Sequence, residues 1–286
     1  MSTGGRRFGQ ALLAPIGVFY GVFLVAPVSF FLLLGVFRYD AFALYRPVIT
    51  GENFARLLLD PHYRGIIALT LEIAALTTLF SLLLGYPLAY LLARTRSAWR
   101  GVLLFLVVAP LMTGVIVRTY GWIVLMGSQG LINGALLWLG IVAQPLQILN
   151  TQTAVVIALV HILMPYVVFP VFSALAAQDP NLERAASTLG ASRLRIFTEV
   201  TLPLSRSGVV MGSVLVFTLS AGAVVTPTLL GGKNVAMLGQ LIYDLVLHTL
   251  NWPLASAVAL ILVAMQFAII FVYLRGSRRG PRPSRG

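Results

Sequence analysis

Long stretches without a charged residue constrain this chain more than any other feature of its sequence. Asp, Glu, Lys and Arg are all missing from residues 8–37, 119–178 and 207–232. About twenty consecutive apolar residues can carry a helix across a bilayer, and a helix satisfies its own backbone hydrogen bonds there. Charged residues make up 10% of the chain, whereas soluble domains contain about 25%. The sequence therefore predicts an all-α fold, that of a polytopic helical membrane protein.

Six transmembrane helices are predicted from the positions of the apolar segments. The segments cover residues 8–37, 66–93, 101–126, 153–177, 207–230 and 254–274. Residues 53–59 are predicted to form a short amphipathic helix, and residues 127–144 contain an apolar segment too short to span. The sequence leaves open whether this last segment is interfacial or re-entrant. We divide the chain into an N-terminal helix with its external loop (1–65), a membrane domain (66–274) and a basic tail (275–286).

The distribution of positive charge predicts the orientation of these helices. Most of the twenty Lys and Arg residues lie near the two chain ends and in two loops, 94–100 and 184–206. Because Lys and Arg are enriched in cytoplasmic loops, we expect both loops and both termini on the cytoplasmic side of a cell membrane. The net charge of +12 could suggest a nucleic acid. Because the Lys and Arg residues concentrate in segments predicted to be cytoplasmic, they indicate the orientation of the helices in the membrane. The predicted partner is therefore a lipid bilayer and not a nucleic acid.

An island of charged residues, 179–203, separates two of the apolar stretches. Asp179 can cap a helix, Gly190 can provide a turn, and Ser192 can cap a second helix. The first helix carries an apolar stripe at helical spacing, formed by Leu182, Ala185, Ala186 and Leu189. The pattern predicts a helix–turn–helix whose apolar face docks into another protein.

The spacing of residues in this island resembles a cytoplasmic loop of the bacterial ABC-transporter permeases that work with external binding proteins. In that family the loop reads Glu-Ala-Ala, three residues, Gly, nine residues, Ile, any residue, Leu-Pro. The matching positions here are Arg184-Ala185-Ala186, Gly190, Val200 and Leu202-Pro203. Arg184 stands in place of the usual glutamate, although Glu183 lies beside it. The resemblance implies that the loop couples an ATPase to the membrane helices through Glu183, Arg184, Ala185, Ala186, Gly190, Leu202 and Pro203.

Further segments resemble the spermidine/putrescine-type branch of that family. They are residues 85–90 (GYPLAY), 118–120 (RTY), 226–232 (TPTLLGG) and 251–253 (NWP). The resemblance implies an importer in a bacterial inner membrane, with a cytoplasmic ABC ATPase dimer, a second homologous permease and an external solute-binding protein. It implies a polyamine or a related nitrogen compound as solute, and a zwitterionic amino-acid-like solute or an opine remains open. One departure weakens the polyamine reading, because Ala223 occupies a position that is often acidic in this branch.

Four residues are candidates for lining a solute path. Glu72, Arg118 and Asp244 are ionisable residues within or beside the predicted spans, and Thr226 begins the Thr-Pro motif. A charge at the bilayer centre costs about 2.5–3.5 kcal/mol on insertion scales, so such residues usually face a bundle interior or water. Two alternatives stay open, since Arg118 could snorkel to the outer surface and Asp244 could lie in an exposed external loop.

No catalytic, metal or cofactor site is predicted, and we expect no enzymatic activity. A phosphate-binding Walker motif around Lys233 would need Gly at position 227 and Ser or Thr at 234, where the chain has Pro227 and Asn234. His161 and His248 have no neighbours at metal-ligand spacing. ATP would therefore be hydrolysed by a partner. An ion-coupled secondary transporter or a channel acting alone is the alternative, which the scarcity of deep charges disfavours.

Overall fold

The computed structural model describes residues 15–95 and 99–277 of the chain. These residues are mostly helical, as predicted, with one short β-hairpin. The start of the predicted first span, Arg96 and most of the basic tail lie outside the described residues. The chain forms two compact units. One comprises the residues up to Arg64 together with Leu241–Val263, and the other comprises Gly65–Gln240 and the residues from Ala264 onward.

The first unit contains helix α1 (Pro15–Val36), strands β1 (Phe37–Asp40) and β2 (Leu44–Ile49), and helix α2 (Glu52–Leu59). Helix α2 confirms the amphipathic helix predicted at 53–59. The side-chain amide of Asn53 donates to the carbonyl oxygens of Gly35 and Phe37, each at 2.9 Å. These two hydrogen bonds fasten α2 to the end of α1.

Helix α3 (Pro61–Arg94) leads into the second unit. The helices that follow are α4 (Trp99–Met112), α5 (Val115–Met126), α6 (Leu131–Trp138), α7 (Gln152–Leu163), α8 (Pro165–Ala176), α9 (Pro180–Thr188), α10 (Arg193–Leu204) and α11 (Arg206–Ala221). A π turn (Pro227–Gly231) follows α11, and helices α12 (Leu238–Leu247) and α13 (Trp252–Ser277) contribute residues to both units.

Two glycines determine how closely α11 packs against α8. A Cβ atom on Gly208 would lie 2.5 Å from the carbonyl oxygen of Pro170. A Cβ atom on Gly212 would lie 3.0 Å from the Cα of Val167. Small residues allow such close approach of helix backbones in membrane proteins. The backbones of the two helices therefore pack closely against each other within the second unit.

By length and hydropathy, the described residues contain between four and six candidate membrane spans. Four helical segments are each long and apolar enough to cross a membrane, namely α1, α3, Val115–Trp138 and Trp252–Tyr273. Two bent pairs raise the number to six if each pair counts as one span, since α7 and α8 meet at 43° and α10 and α11 at 65°. The first of these bends lies just before Pro165, where a kink is expected because proline cannot continue the hydrogen-bond ladder.

The prediction of one continuous third helix over 101–126 is wrong. Helix α4 ends in a 3₁₀ turn that contains Pro110, and Thr113 and Gly114 separate it from α5. Proline has no N–H for the helical hydrogen-bond ladder, and Gly114 is extended, so the helix is interrupted there. The segment Val115–Trp138, which joins α5 and α6, has the length and hydropathy of a span instead.

Candidate functional site

The charged island, called loop 179–203 below, folds as two helices joined by a turn. Asp179 Oδ1 accepts a hydrogen bond of 2.9 Å from the N–H of Asn181 and so caps α9. Gly190 has a φ of +82°, a left-handed conformation that glycine adopts without strain. Ser192 Oγ accepts a hydrogen bond of 3.3 Å from the N–H of Arg195 and caps α10. Both predicted caps and the predicted turn are therefore confirmed.

The second helix of the loop continues through Leu202-Pro203. Pro203 lies at the start of a short α turn, which follows a π turn at Phe197–Thr201. Pro203 has no N–H to donate to the preceding turn, and the hydrogen-bond pattern of the helix changes from α to π directly before it. Helix α10 therefore runs to Leu204.

Three leucines of the loop are exposed. Leu182 is 47% exposed, Leu189 88% and Leu194 72%. Arg184 is exposed beside them, and its guanidinium donates to Asn181 Oδ1 at 3.3 Å. Among the other predicted loop residues, Ala186 is half-buried, and the exposed ones are Ala185, Leu202 and Pro203. Several large apolar side chains exposed together are typical of a surface that contacts a partner.

Glu183 makes different contacts from its neighbour Arg184. Its carboxylate forms an ion pair with Arg94, the last residue of α3, and both side chains are only 21% exposed. The same Glu183 oxygen accepts a hydrogen bond of 2.8 Å from Thr201 Oγ1. Glu183 thus holds the loop to α3, while Arg184 remains available to a partner.

Glu72 lines a groove of about 690 Å³ between α3, α5 and α7. The walls are mainly apolar, and the polar side chains among them are Glu72, Trp122, Gln152, Thr153 and His161. Trp122 Nε1 donates to His161 Nδ1 at 3.2 Å. A neutral imidazole that accepts at Nδ1 carries its proton on Nε2. Within the described residues Glu72 has no ion pair or hydrogen bond of its own, so its carboxylate is free to bind a ligand.

The other predicted path residues have separate surroundings. Arg118 is half-buried and donates to the carbonyl oxygen of Ile162 at 3.5 Å, while its Nε is buried without a partner. The buried hydroxyl groups of Thr226 and Thr119 lie 3.3 Å apart and share a hydrogen bond. Neither Arg118 nor Thr226 lines the Glu72 groove.

Asp244 belongs to the first unit. It lies on α12 with its side chain about half exposed, and its Oδ1 lies 3.2 Å from His248 Nδ1. In the part of the chain that the structure describes, no group of three or more His, Cys, Asp or Glu residues could hold a metal ion.

The chain is similar to known proteins in its sequence and in its fold. Residues 81–279 match the family described as "Binding-protein-dependent transport system inner membrane component". The chain belongs to this family. The chain is 35% identical over 273 residues to the spermidine/putrescine transport system permease protein PotB of Haemophilus influenzae. This alignment covers 96% of the chain and 95% of the relative. The chain is 36% identical over 239 residues to PotB of Escherichia coli strain K12, covering 84% of the chain and 86% of the relative.

A solved structure shares the fold of this chain. The structure is that of a bacterial ABC transporter involved in the import of the acidic polysaccharide alginate. The match has a TM-score of 0.75 and covers 96% of each chain, at 19% sequence identity. At this identity the likeness establishes the helical architecture.

The sequence alone did not identify several functional candidates that the structure brings together. The sequence places Arg94 in a basic loop, yet Arg94 follows Tyr86 and Tyr90 at a spacing of four, which places all three on one helix face. That spacing was an available signal. Trp122 and His161 carried no comparable signal, because the packing of α5 against α7 brings them together.

Proposed function

We propose that this chain is the membrane-spanning subunit of an ABC importer that carries a small polyamine-type cation across the bacterial inner membrane. ATP hydrolysis on a partner subunit drives the transport. The observation that carries the proposal is loop 179–203, which exposes an apolar face on one side and is bound to the end of α3 on the other. A transporter or channel acting alone would leave that apolar face uncovered.

The exposed apolar face of loop 179–203 and the family of the chain indicate three kinds of partner. Loop 179–203 docks into a dimeric cytoplasmic ATPase, and ATP binding moves the loop by closing that dimer. A second homologous permease completes the solute path, which opens to each side of the membrane in turn. An external solute-binding protein delivers the solute, in agreement with the description of the family. Both termini are cytoplasmic, an orientation supported by the arginine distribution.

The solute path runs past Glu72, and the residues around Glu72 favour a cationic amine. The PotB relatives are named for spermidine and putrescine transport. Glu72 supplies a carboxylate and Trp122 an aromatic face, and both groups attract an ammonium ion. Neither Lys nor Arg is among the described residues that line the groove. Because Ala223 supplies no carboxylate, Glu72 is the group on which cation selection depends in this unit.

Arg118 and Thr226 belong to the same unit as the groove, and in this proposal they also contribute to the path. Asp244 belongs to the other unit, where it lies on α12, and its part in the path stays a prediction. In this proposal Thr226 and its partner Thr119 form a buried polar contact between α5 and the π turn that follows α11. Thr119 Oγ1 donates to the carbonyl oxygen of Val115 at 2.8 Å, so Thr226 is the donor in the shared bond. This contact can break when the path opens, because the Thr226 hydroxyl group can turn to another acceptor.

Uptake of labelled spermidine into proteoliposomes tests the proposal. The vesicles contain the permease pair with its ATPase, and the binding protein is added outside. Uptake is expected to need ATP and the binding protein and to be competed by putrescine. Glu72→Gln is expected to reduce uptake at low substrate by about tenfold or more, since a hydrogen bond to a charged group contributes about 1.5–3 kcal/mol. Glu52→Gln is the matched control, because Glu52 is an exposed acid of α2.

The possible outcomes separate the parts of the proposal. ATP-dependent uptake that is competed by amino acids or opines, and is indifferent to polyamines and to Glu72, contradicts the polyamine assignment alone. Uptake that needs neither ATP nor the binding protein contradicts the importer assignment and indicates a secondary transporter or channel.

A further inference from the structure

One face of the last turns of α3 contacts loop 179–203 along its length. Tyr86, Tyr90 and Arg94 lie on that face at intervals of four residues. Helix α3 has 34 residues, which corresponds to about 51 Å at 1.5 Å per residue, whereas the hydrocarbon core of a bilayer is about 30 Å thick. The helix is therefore long enough to project from the membrane and meet the loop.

Arg94 and Glu183 form the outermost contact. Arg94 pairs with the Glu183 carboxylate and donates to Gln178 Oε1 at 3.3 Å. Glu183 also accepts from Thr201 Oγ1 at 2.8 Å, and Gln178 Nε2 donates to the carbonyl oxygen of Thr201 at 3.3 Å. One carboxylate thus connects the end of α3 with both helices of the loop. A largely shielded pair is far more sensitive to loss of one partner than an exposed pair.

Aromatic contacts continue this connection toward the membrane. The ring of Phe197 meets the rings of Tyr86 and Tyr90 edge to face, with centroid distances of 5.7 and 6.5 Å. Phe197 begins the π turn of α10, and such turns often occur at functional sites. The guanidinium carbon of Arg94 lies 5.7 Å from the centre of the Tyr90 ring.

Pro87 lies within the loop-contacting part of α3, directly after Tyr86 and before Tyr90 and Arg94. As a proline it has no N–H to donate to the carbonyl oxygen of Leu83, so the helix bends there more easily than elsewhere. On the membrane side, Gly85 is packed against α8, since a Cβ atom there would lie 3.3 Å from Val167 Cγ1. On the other side, Tyr90 and Arg94 are held by the loop.

We infer that Arg94 and Glu183 form a clamp through which loop 179–203 pulls the end of α3, with Pro87 as the hinge. This inference rests on the proposed function, because the ATPase supplies the movement of the loop. It assigns separate tasks to two neighbours in the loop. Glu183 transmits the movement inward, and Arg184 meets the ATPase. Both clamp residues are positioning residues that touch neither solute nor nucleotide.

The test compares the clamp with a second ion pair of the same loop. Arg195 and Glu199 lie one helical turn apart, 3.0 Å from each other, and both side chains are exposed. The variants are Arg94→Ala, Glu183→Gln and the charge-exchanged double variant Arg94→Glu with Glu183→Arg. The matched controls are Arg195→Ala and Glu199→Gln. Each is measured in the complete transporter for ATP hydrolysed per solute taken up, and in membranes for cleavage of the loop by chymotrypsin at its exposed leucines.

Both single clamp variants are expected to raise the ATP used per solute severalfold and to speed cleavage of the loop, while the ATPase still co-purifies. The double variant restores coupling, since the pair forms again with its charges exchanged. The controls stay at the wild-type values. Normal coupling in Arg94→Ala, with or without faster cleavage, overturns the clamp, and so does a double variant as uncoupled as the single ones. A wild-type complex whose uptake is independent of its ATPase overturns the proposed function instead, whatever the cleavage shows.

Discussion

The hydroxyl groups of Tyr86 and Ser205 lie 2.9 Å apart, although 119 positions separate the two residues in the chain. Ser205 Oγ also donates to the carbonyl oxygen of Leu202 at 3.1 Å. A hydroxyl group has one hydrogen to donate, so Tyr86 is the donor in the bond that the two hydroxyls share. Because Ser205 lies between α10 and α11, this bond fixes the point where the loop returns to the membrane helices.

Substitution of Tyr86 is expected to separate the hydrogen bond from the ring packing. Tyr86→Phe removes only the hydroxyl group and should lower the free energy of unfolding by about 1 kcal/mol. Tyr86→Ala also removes the contact with Phe197 and should cost about 3–5 kcal/mol. Thermal unfolding of the purified protein in detergent measures both changes. Equal losses for the two variants would show that the ring contributes no packing.

Substitution of Gly190 tests the backbone conformation of the loop. A side chain there would meet no atom within 4 Å, so only the positive φ restricts the residue type. A left-handed conformation costs about 1–2 kcal/mol for most residues, whereas Asn adopts it more readily. Gly190→Val is expected to reduce ATP-dependent uptake severalfold with normal membrane insertion, and Gly190→Asn to retain uptake. Full uptake by the valine variant would mean that the loop tolerates another turn.

Arg184→Glu restores the residue that is usual at this position of the family motif. Arg184 is exposed, and its hydrogen bond to Asn181 is a local one. The variant is therefore expected to insert normally and to keep its uptake within about fivefold of wild type, since an exposed charge contributes about 1 kcal/mol or less. Arg184→Ala is the neutral control. Complete loss of uptake by the glutamate variant alone would indicate an acidic pocket on the ATPase that matches Arg184.

Gly208→Ala tests the close packing of α11 against α8. The added methyl group would lie 2.5 Å from the carbonyl oxygen of Pro170 and 2.8 Å from Ala174 Cβ, so the helices must separate. We expect a loss of about 1–3 kcal/mol in the free energy of unfolding. Gly134→Ala is the control, because this position of α6 is open and alanine favours helix by up to about 1 kcal/mol. Unchanged stability of the Gly208 variant would contradict the packing.

Single introduced cysteines test the membrane orientation, because the chain contains no cysteine of its own. Ser187 in the loop and Ala43 in the hairpin are both exposed. Ser187→Cys should react with a membrane-impermeant maleimide only from the cytoplasmic side, and Ala43→Cys only from the outside. Labelling of position 187 from outside the cell would reverse the proposed topology.

Local composition determined the features that could be predicted from the sequence alone. The uncharged stretches indicated a helical membrane protein with six spans, because hydrocarbon excludes charge whatever the neighbours of a helix are. Asp179, Gly190 and Ser192 indicated the form of loop 179–203, because caps and turns involve residues only a few positions apart. The same locality explains why the spacing of the loop motif could be recognised without a structure.

Only the tertiary structure decided which distant groups meet. No feature near Glu183 in the sequence identifies Arg94 as its partner, 89 positions away. The same is true of Trp122 and His161, which meet beside Glu72 in one groove. A helix that is apolar all round has no polar face to show which side packs inward. These contacts therefore depend on how the helices pack, which the hydropathy of each helix does not specify.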